Sequence, residues 1–386
     1  MSSPALADDG TVFVGNYTGL CAITNNGVNA SNKWTISQAR STASPALGED
    51  GTVFVAAANG NLYSISPNGS INWRYPASGG TGSPAIGYNG TIYLEGSNYL
   101  YAVAPSGALV WKSVVGDHDS YSSPVVAPDG TIYVCSSSGT LYAFDTDGSQ
   151  KWSKSLEARD RSPALGADGT IYVGGGGLYA ISPDGSQLWY NGTNNFFGFS
   201  PVLAKNGNIY IKDFNTRRLD ALNPLGHVIW SALQDGAHTV PSVPALTAGG
   251  TVYYCLSNTL AALNPQGRLE WSFTARPEYS SPANGSPCVD GQGNIYAVFG
   301  TILYAIYGTN KLADSPWPMY RQNPRHTGKI EKPSLQQPKK RADANFEFER
   351  ASAMNWRYLR NQAANSGFVS IRISSSATRS SAFKVA

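Results

Sequence analysis

A chain of 386 residues with 14% charged side chains and 41 glycines is long enough to bury a sizeable core and has the composition of a turn-dense protein. Its net charge of +3 hides an asymmetry: residues from Lys329 onward hold 11 Lys/Arg against 4 Asp/Glu, so the remainder is mildly acidic. An acidic body argues against nucleic-acid binding there, and no apolar run approaches the length of a membrane span.

The chain opens on Ser3-Pro4-Ala5-Leu6, the first strand of a unit that it then repeats. The clearest copy begins at Ser162-Pro163-Ala164-Leu165 and continues through Asp168–Trp189. A turn at Asp168-Gly169 leads to Thr170–Val173. Gly174–Gly177 then turns into Leu178–Ile181, and Pro183-Asp184-Gly185 leads to a last strand ending on Trp189. Each run alternates or is rich in β-branched and aromatic residues, and each break carries Gly, Pro or Asp, so the unit predicts four antiparallel strands. The opening Pro recurs at Pro4, Pro45, Pro84, Pro124, Pro163, Pro201, Pro244 and Pro287, at spacings of 38 to 43 residues. The closing Trp recurs at Trp34, Trp73, Trp111, Trp152, Trp189, Trp230 and Trp271, and the eighth unit lacks it. Asp-Gly or Asn-Gly at the first turn supplies the positive φ of a tight hairpin. Four strands every ~40 residues, eight times over, predict an all-β, eight-bladed propeller of four-stranded antiparallel blades with a short β-rich tail.

The indoles are expected to be structural. Buried between blades, each would hide roughly 150–250 Å², which at about 25 cal/mol per Å² is roughly 4–6 kcal/mol as an upper bound. Cys21, Cys135, Cys255 and Cys288 fall in strands of different blades and read as small buried apolar residues, with a Cys255–Cys288 bridge as the alternative. No C-x-x-C is present. Asp145-Thr146-Asp147-Gly148 reads as a turn and lacks the further carboxylates of a calcium loop.

Units seven and eight are looser, with longer approaches at Gln234–Val243 and Thr274–Ser286. The last strand pair is Asn294–Phe299 and Ile302–Ile306; its missing outer partner is either Trp317–Arg321, or that segment packs under the propeller as a plug. The domain reading is therefore 1–328 propeller, 329–344 Pro/Lys linker and 345–386 partial C-terminal β module. In the last, Asn345–Glu349, Trp356–Arg360, Phe368–Ile373 and Ala382–Val385 are the strand candidates.

Leu-Tyr-Ala-Phe/Ile followed by Asp-Gly and Trp, as in Leu141–Trp152, resembles the repeat of the pyrroloquinoline-quinone-like (quinoprotein-like) β-propeller family. Ser315–Gly328 also resembles a Trp-Pro…Thr-Gly segment found beside such repeats. The resemblance covers about residues 2–328 and implies a bacterial, extracytoplasmic protein: periplasmic, cell-surface or secreted. No signal peptide is visible ahead of Ser3-Pro4, and the family usually begins earlier, so localisation rests on the resemblance. Members include quinone-dependent dehydrogenases and the propeller subunit of the outer-membrane barrel assembly machine. The dehydrogenases hold quinone and calcium in the channel, many beneath adjacent cysteines. This chain has no Cys-Cys pair, no C-x-x-C-H and little room for long inserted loops, so no enzyme and no cofactor are expected. A quinone-dependent dehydrogenase and the barrel-assembly subunit stand as the alternatives, the latter disfavoured because the Trp-Pro…Thr-Gly segment and the tail do not look like it.

Loops before each Ser-Pro strand and between second and third strands are expected on one face, around the mouth of the channel. They carry Arg40, Asp117, His118, Asp119, Tyr121, Arg159, Asp160, Arg161, Phe196, Phe197, Phe199, Asp235, His238, Arg276, Glu278 and Tyr279. Of these, Arg40, Asp117, His118, Asp119, Tyr121, Arg159, Arg161, Phe197, His238, Arg276 and Tyr279 are the partner-binding candidates. Mixed charge with aromatics on a rigid frame suits a protein or polysaccharide partner. Asp117-His118-Asp119 is the most site-like cluster, yet without a second nearby His no metal site is expected. The expectation is a non-catalytic scaffold acting as a monomer.

Overall fold

The computed structural model describes residues 2–25, 30–77, 82–116, 122–156, 158, 161–192, 200–213, 218–233, 242–275, 285–308, 310–330 and 368–372. These residues form eight four-stranded antiparallel sheets, each with neighbouring strands in chain order. Blade 4 shows the plan: Val125–Val126, Ile132–Cys135, Thr140–Phe144 and Gln150–Ser155 pair in succession. Its first turn is set by Asp129, whose Oδ1 accepts the N–H of Thr131 at 2.9 Å while Oδ2 accepts its hydroxyl at 2.8 Å. The same two bonds recur from Thr52 to Asp50 and from Thr170 to Asp168. An acidic side chain that bonds its own backbone two residues on makes the Asp-Gly-Thr turn self-organising.

Burial explains the strand patterns. Ile132–Cys135 is buried at every position, whereas Gln150–Ser155 is exposed at four positions and half-buried at Trp152 and Lys154. An inner strand lies between two neighbouring blades and hides both faces, so it reads as a continuous apolar run. The core is accordingly divided into clusters that bridge blades. Phe13 and Leu20 of blade 1 meet Val55 and Tyr63 of blade 2. Val12 and Ile23 of blade 1 meet Val298 and Leu303 of blade 8, which closes the ring.

The tryptophans sit on the outer strands and are half-buried, so the full-burial energy expected for them is too large. Each indole packs on an aromatic ring of its own blade, from Phe13–Trp34 at 5.6 Å through Tyr133–Trp152 at 5.8 Å to Tyr253–Trp271 at 5.6 Å between centroids. Those of blades 1 to 6 also donate Nε1–H to a turn carbonyl of the next blade, for example Trp34 to Pro67 at 3.0 Å and Trp111 to Thr146 at 2.8 Å. The same turn holds a glycine under the indole. Gly148 has φ of 88°, and a Cβ there would lie 2.6 Å from Trp111. The Trp and the Gly of the repeat are thus one clamp split between two blades.

Blade 8 is completed differently. Trp317–Arg321 does not supply its outer strand; Phe368–Arg372 pairs with Ile302–Ile306 instead. The other three strand candidates of the tail lie outside the described residues. All four cysteines are buried and free, so no Cys255–Cys288 bridge forms.

Candidate functional site

The Ser of six Ser-Pro pairs, in blades 1 to 5 and in blade 8, belongs to a belt around the channel. Ser3 N–H donates to Ser44 Oγ at 3.0 Å, and Ser44 to Ser83, Ser83 to Ser123 and Ser123 to Ser162 follow at 2.9 Å. Val243 N–H donates to Ser286 Oγ, and Ser286 N–H to Ser3 Oγ, both at 2.9 Å. The proline that follows holds each serine extended, which fixes where the N–H and hydroxyl point.

Below the belt, residues 317–329 run across the innermost strands. The innermost strands are edge strands with backbone groups turned to the channel, and the segment satisfies them. Leu6, Leu47, Ile86 and Val126 donate N–H to the carbonyls of Pro324, Arg325, Thr327 and Gly328 at 2.8–2.9 Å. Leu203 and Leu246 donate to Trp317 and Pro318 at 2.8 Å. These six donors close the first strands of six different blades, and capping an open edge in this way removes its tendency to pair elsewhere. Trp317 and Met319 are buried with the strands around them.

Arg321 is the hub of this plug. Its guanidinium is buried and donates Nη1–H to Pro124 O at 2.6 Å and Nη2–H to Pro84 O at 2.8 Å. Gly328 lies so close to Nη2 that a side chain there would collide with it. Tyr320 reaches the belt through Ser83 Oγ at 3.1 Å. His326 is fully buried, edge-on to Tyr320 at 5.5 Å. Burial and the adjoining Arg321 charge push its imidazole down to about 3, so it is neutral. Arg321, Gln322 and His326 have φ of 59°, 78° and 55°. Three side-chain-bearing residues in the left-handed region store about 1–3 kcal/mol each, which the surrounding contacts offset.

Two buried ionisable side chains carry no signal in the repeat. Glu95 and Lys212 occupy equivalent places, opposite Leu100 and Leu219, where blades 4 and 7 have Cys135 and Cys255. Lys212 Nζ donates to Cys255 O at 3.2 Å, and burial pushes this amine down to about 8. Burial also pushes the Cys255 thiol up to about 12, which leaves it unreactive at neutral pH.

Of the partner-binding candidates, Arg40 and Arg161 are described. Arg40 is exposed, and its carbonyl accepts Ala58 N–H at 2.8 Å. Arg161 is half-buried beside Ser162 of the belt, and its carbonyl accepts the Ser122 hydroxyl at 3.0 Å. They approach blades 2 and 5 and so stand apart on the rim. Asp117, His118, Asp119, Tyr121, Arg159, Phe197, His238, Arg276 and Tyr279 lie outside the described residues. On the plug side, a cleft of about 270 Å³ runs between blades 2 and 3, lined by Glu49, Asp50, Tyr88, Arg325 and Lys329 among others. Lys329 Nζ stands 5.2 Å from the Tyr88 ring centre there. Among the described residues, no group of three or more His, Cys, Asp or Glu is placed to hold a metal ion.

A family model described as outer membrane protein assembly factor BamB matches residues 96–193 and 159–306. Among solved structures, BamB from Moraxella catarrhalis is 15% identical, covers 78% of this chain and 93% of its own, and superposes with a TM-score of 0.64. Virginiamycin B lyase from Staphylococcus aureus is 14% identical, with 70% and 94% covered and a TM-score of 0.52. A streptogramin B lyase is 13% identical, with 69% and 93% covered and a TM-score of 0.52. At such identities the likeness is one of fold. No curated protein matches. These findings support the barrel-assembly alternative at the level of the family; residues 315–328 and the tail, which argue against it, lie outside the matched residues. With its matched repeats spanning more than half its length, the chain belongs to the PQQ-like β-propeller family of outer membrane protein assembly factor BamB.

Proposed function

We propose that this protein is a non-catalytic propeller scaffold of the bacterial envelope that holds a protein partner on the channel-mouth loops. The observation that carries the reading is the seating of residues 310–330. The inner edges of six blades are committed to the chain's own carbonyls, and Arg321 is committed to Pro84 and Pro124. A channel floor built this way serves rigidity, and a rigid frame is what displays binding loops well. The family's description as an assembly factor favours a protein partner over a polysaccharide.

The test is capture from envelope extract by the full chain, compared with a chain carrying Arg40→Glu and Arg161→Glu. Specific loss of an outer-membrane assembly component from the variant supports the reading. An unchanged set of captured proteins contradicts the assigned face. The lyases of the same fold supply the opposing reading, since one solved relative is a virginiamycin B lyase with quinupristin. Turnover of quinupristin by the purified chain would overturn the non-catalytic assignment.

A further inference from the structure

The cleft on the plug side is a slot between two neighbouring blades. It is lined by Glu49 and Asp50 from the first turn of blade 2, by Tyr88 from that of blade 3, and by Arg325, Thr327 and Lys329. The last three are alternate residues of the capping segment, which its backbone holds in place. Leu47 and Ile86 donate N–H to the Arg325 and Thr327 carbonyls at 2.8 and 2.9 Å. Leu47, Phe54 and Ile86, all buried, add an apolar lining. The volume of about 270 Å³ is at the small end for ligand pockets.

Several of its polar groups are already committed. Asp50 accepts both the N–H and the hydroxyl of Thr52. The Thr327 hydroxyl accepts Asn323 Nδ2–H at 2.7 Å, and Tyr88 donates its hydroxyl to Ile330 O at 2.6 Å. The two cations are not. Among the described residues, neither the Arg325 guanidinium nor the Lys329 ammonium makes an ion pair or a side-chain hydrogen bond. Lys329 has the Tyr88 ring beside its ammonium, and an aromatic face leaves the N–H donors without an acceptor. The cations also lie deeper than the anions. Lys329 is 7% exposed and Arg325 half-buried, whereas Glu49 and Asp50 are exposed. A buried cation ordinarily has an anionic partner, and here the cleft stands beside both.

We infer that this cleft binds a carboxylate carried on an apolar body of about one aromatic ring, either a free acid or the end of a polypeptide. Arg325 offers the planar fork that matches a carboxylate, and Lys329 adds a third point of attraction. The apolar body covers Leu47, Phe54 and Ile86 and takes their surface out of water. Glu49, on the exposed side, repels a second negative charge and so selects monoanions over dianions. The site lies on the plug side, and its test is independent of the channel-mouth reading.

The test titrates the full chain with 3-phenylpropionate, followed by ligand-observed NMR. Saturable binding is expected, and the neutral amide of the same acid should bind at least about tenfold more weakly. Arg325→Gln and Lys329→Gln should each weaken binding of the acid by a similar factor. Slow hydrogen exchange at Leu47 and Ile86 in both variants would show that the segment is still seated; should either variant unseat it, the acid–amide comparison on wild type decides alone. Glu49→Gln should tighten phenylsuccinate, a dianion, about threefold and leave 3-phenylpropionate unchanged. Acetyl-Gly-Gly-Phe distinguishes the sources. Binding as tight as that of 3-phenylpropionate assigns a polypeptide terminus, and failure to bind where the small acid binds assigns a free acid. No saturable binding of 3-phenylpropionate, equal affinity for acid and amide, or unchanged affinity in both Arg325→Gln and Lys329→Gln overturns the proposal.

Discussion

Ser286 donates its backbone N–H to Ser3 Oγ at 2.9 Å, joining two residues from opposite ends of the repeat array. This is the seam of the ring, and the bond there is the same one that links Ser44 to Ser83 inside it. Ser3→Ala leaves the buried Ser286 N–H without its acceptor, which should cost about 1–3 kcal/mol. Ser162→Ala removes the acceptor of Ser123 and should cost a similar amount. Denaturant midpoints with unchanged m-values would check both.

The clamp between blades gives a second prediction. Gly148→Ala places a Cβ on Trp111 and forces an L side chain to hold φ of 88°. Its loss should exceed about 1 kcal/mol. Trp111→Phe keeps the ring contact but removes the bond to Thr146, for about 0.5–1.5 kcal/mol. Because the two variants damage one contact, the double variant should fall short of their sum.

Arg321→Met should detach the plug. It leaves the carbonyls of Pro84 and Pro124 unpaired in the channel, at about 1–3 kcal/mol each. Arg321→Lys should recover only part of this, because an ammonium lacks the planar fork that spans two acceptors. Limited proteolysis within 310–330, slow in wild type and fast in Arg321→Met, is the readout.

Acid should loosen the same segment. His326 is held near 3 in the fold by burial and Arg321, against an ordinary value of 6.5. As pH falls, the unfolded chain takes up this proton first. The contribution of the neutral imidazole is therefore complete above 6.5 and is lost progressively as pH falls toward 3. In His326→Asn, chosen because Asn tolerates the left-handed backbone, stability should be flatter across that window. Denaturation series from pH 7 to pH 4 would measure the difference.

The sequence revealed what is periodic. Strand runs, Asp-Gly turns, the count of blades and the recurring Trp all repeat every ~40 residues, so each copy supports the reading of the others. What it concealed is contact that happens once. Arg321 meets Pro84 and Pro124 across 237 and 197 residues, and Phe368–Arg372 meets Ile302–Ile306 with no hairpin between them. Neither carries a local pattern. The Ser of Ser-Pro was visible as a marker, but its hydroxyl partner in the next blade was not. Glu95 and Lys212 carry no periodic signal, because the other copies hold Gly, Ala, Cys or Val at that place. Of the channel-mouth candidates among the described residues, Arg40 and Arg161 stand on separate approaches to the rim.

The chain caps the innermost strands of six blades with its own carbonyls. Hydrogen exchange on the full chain tests it at single amides. Leu6, Leu47, Ile86, Val126, Leu203 and Leu246 should exchange as slowly as amides of the second strands, and Arg321→Met should release them together. Fast exchange of these six in wild type, with the second strands still protected, would mean that the inner edges are open and the plug is not seated.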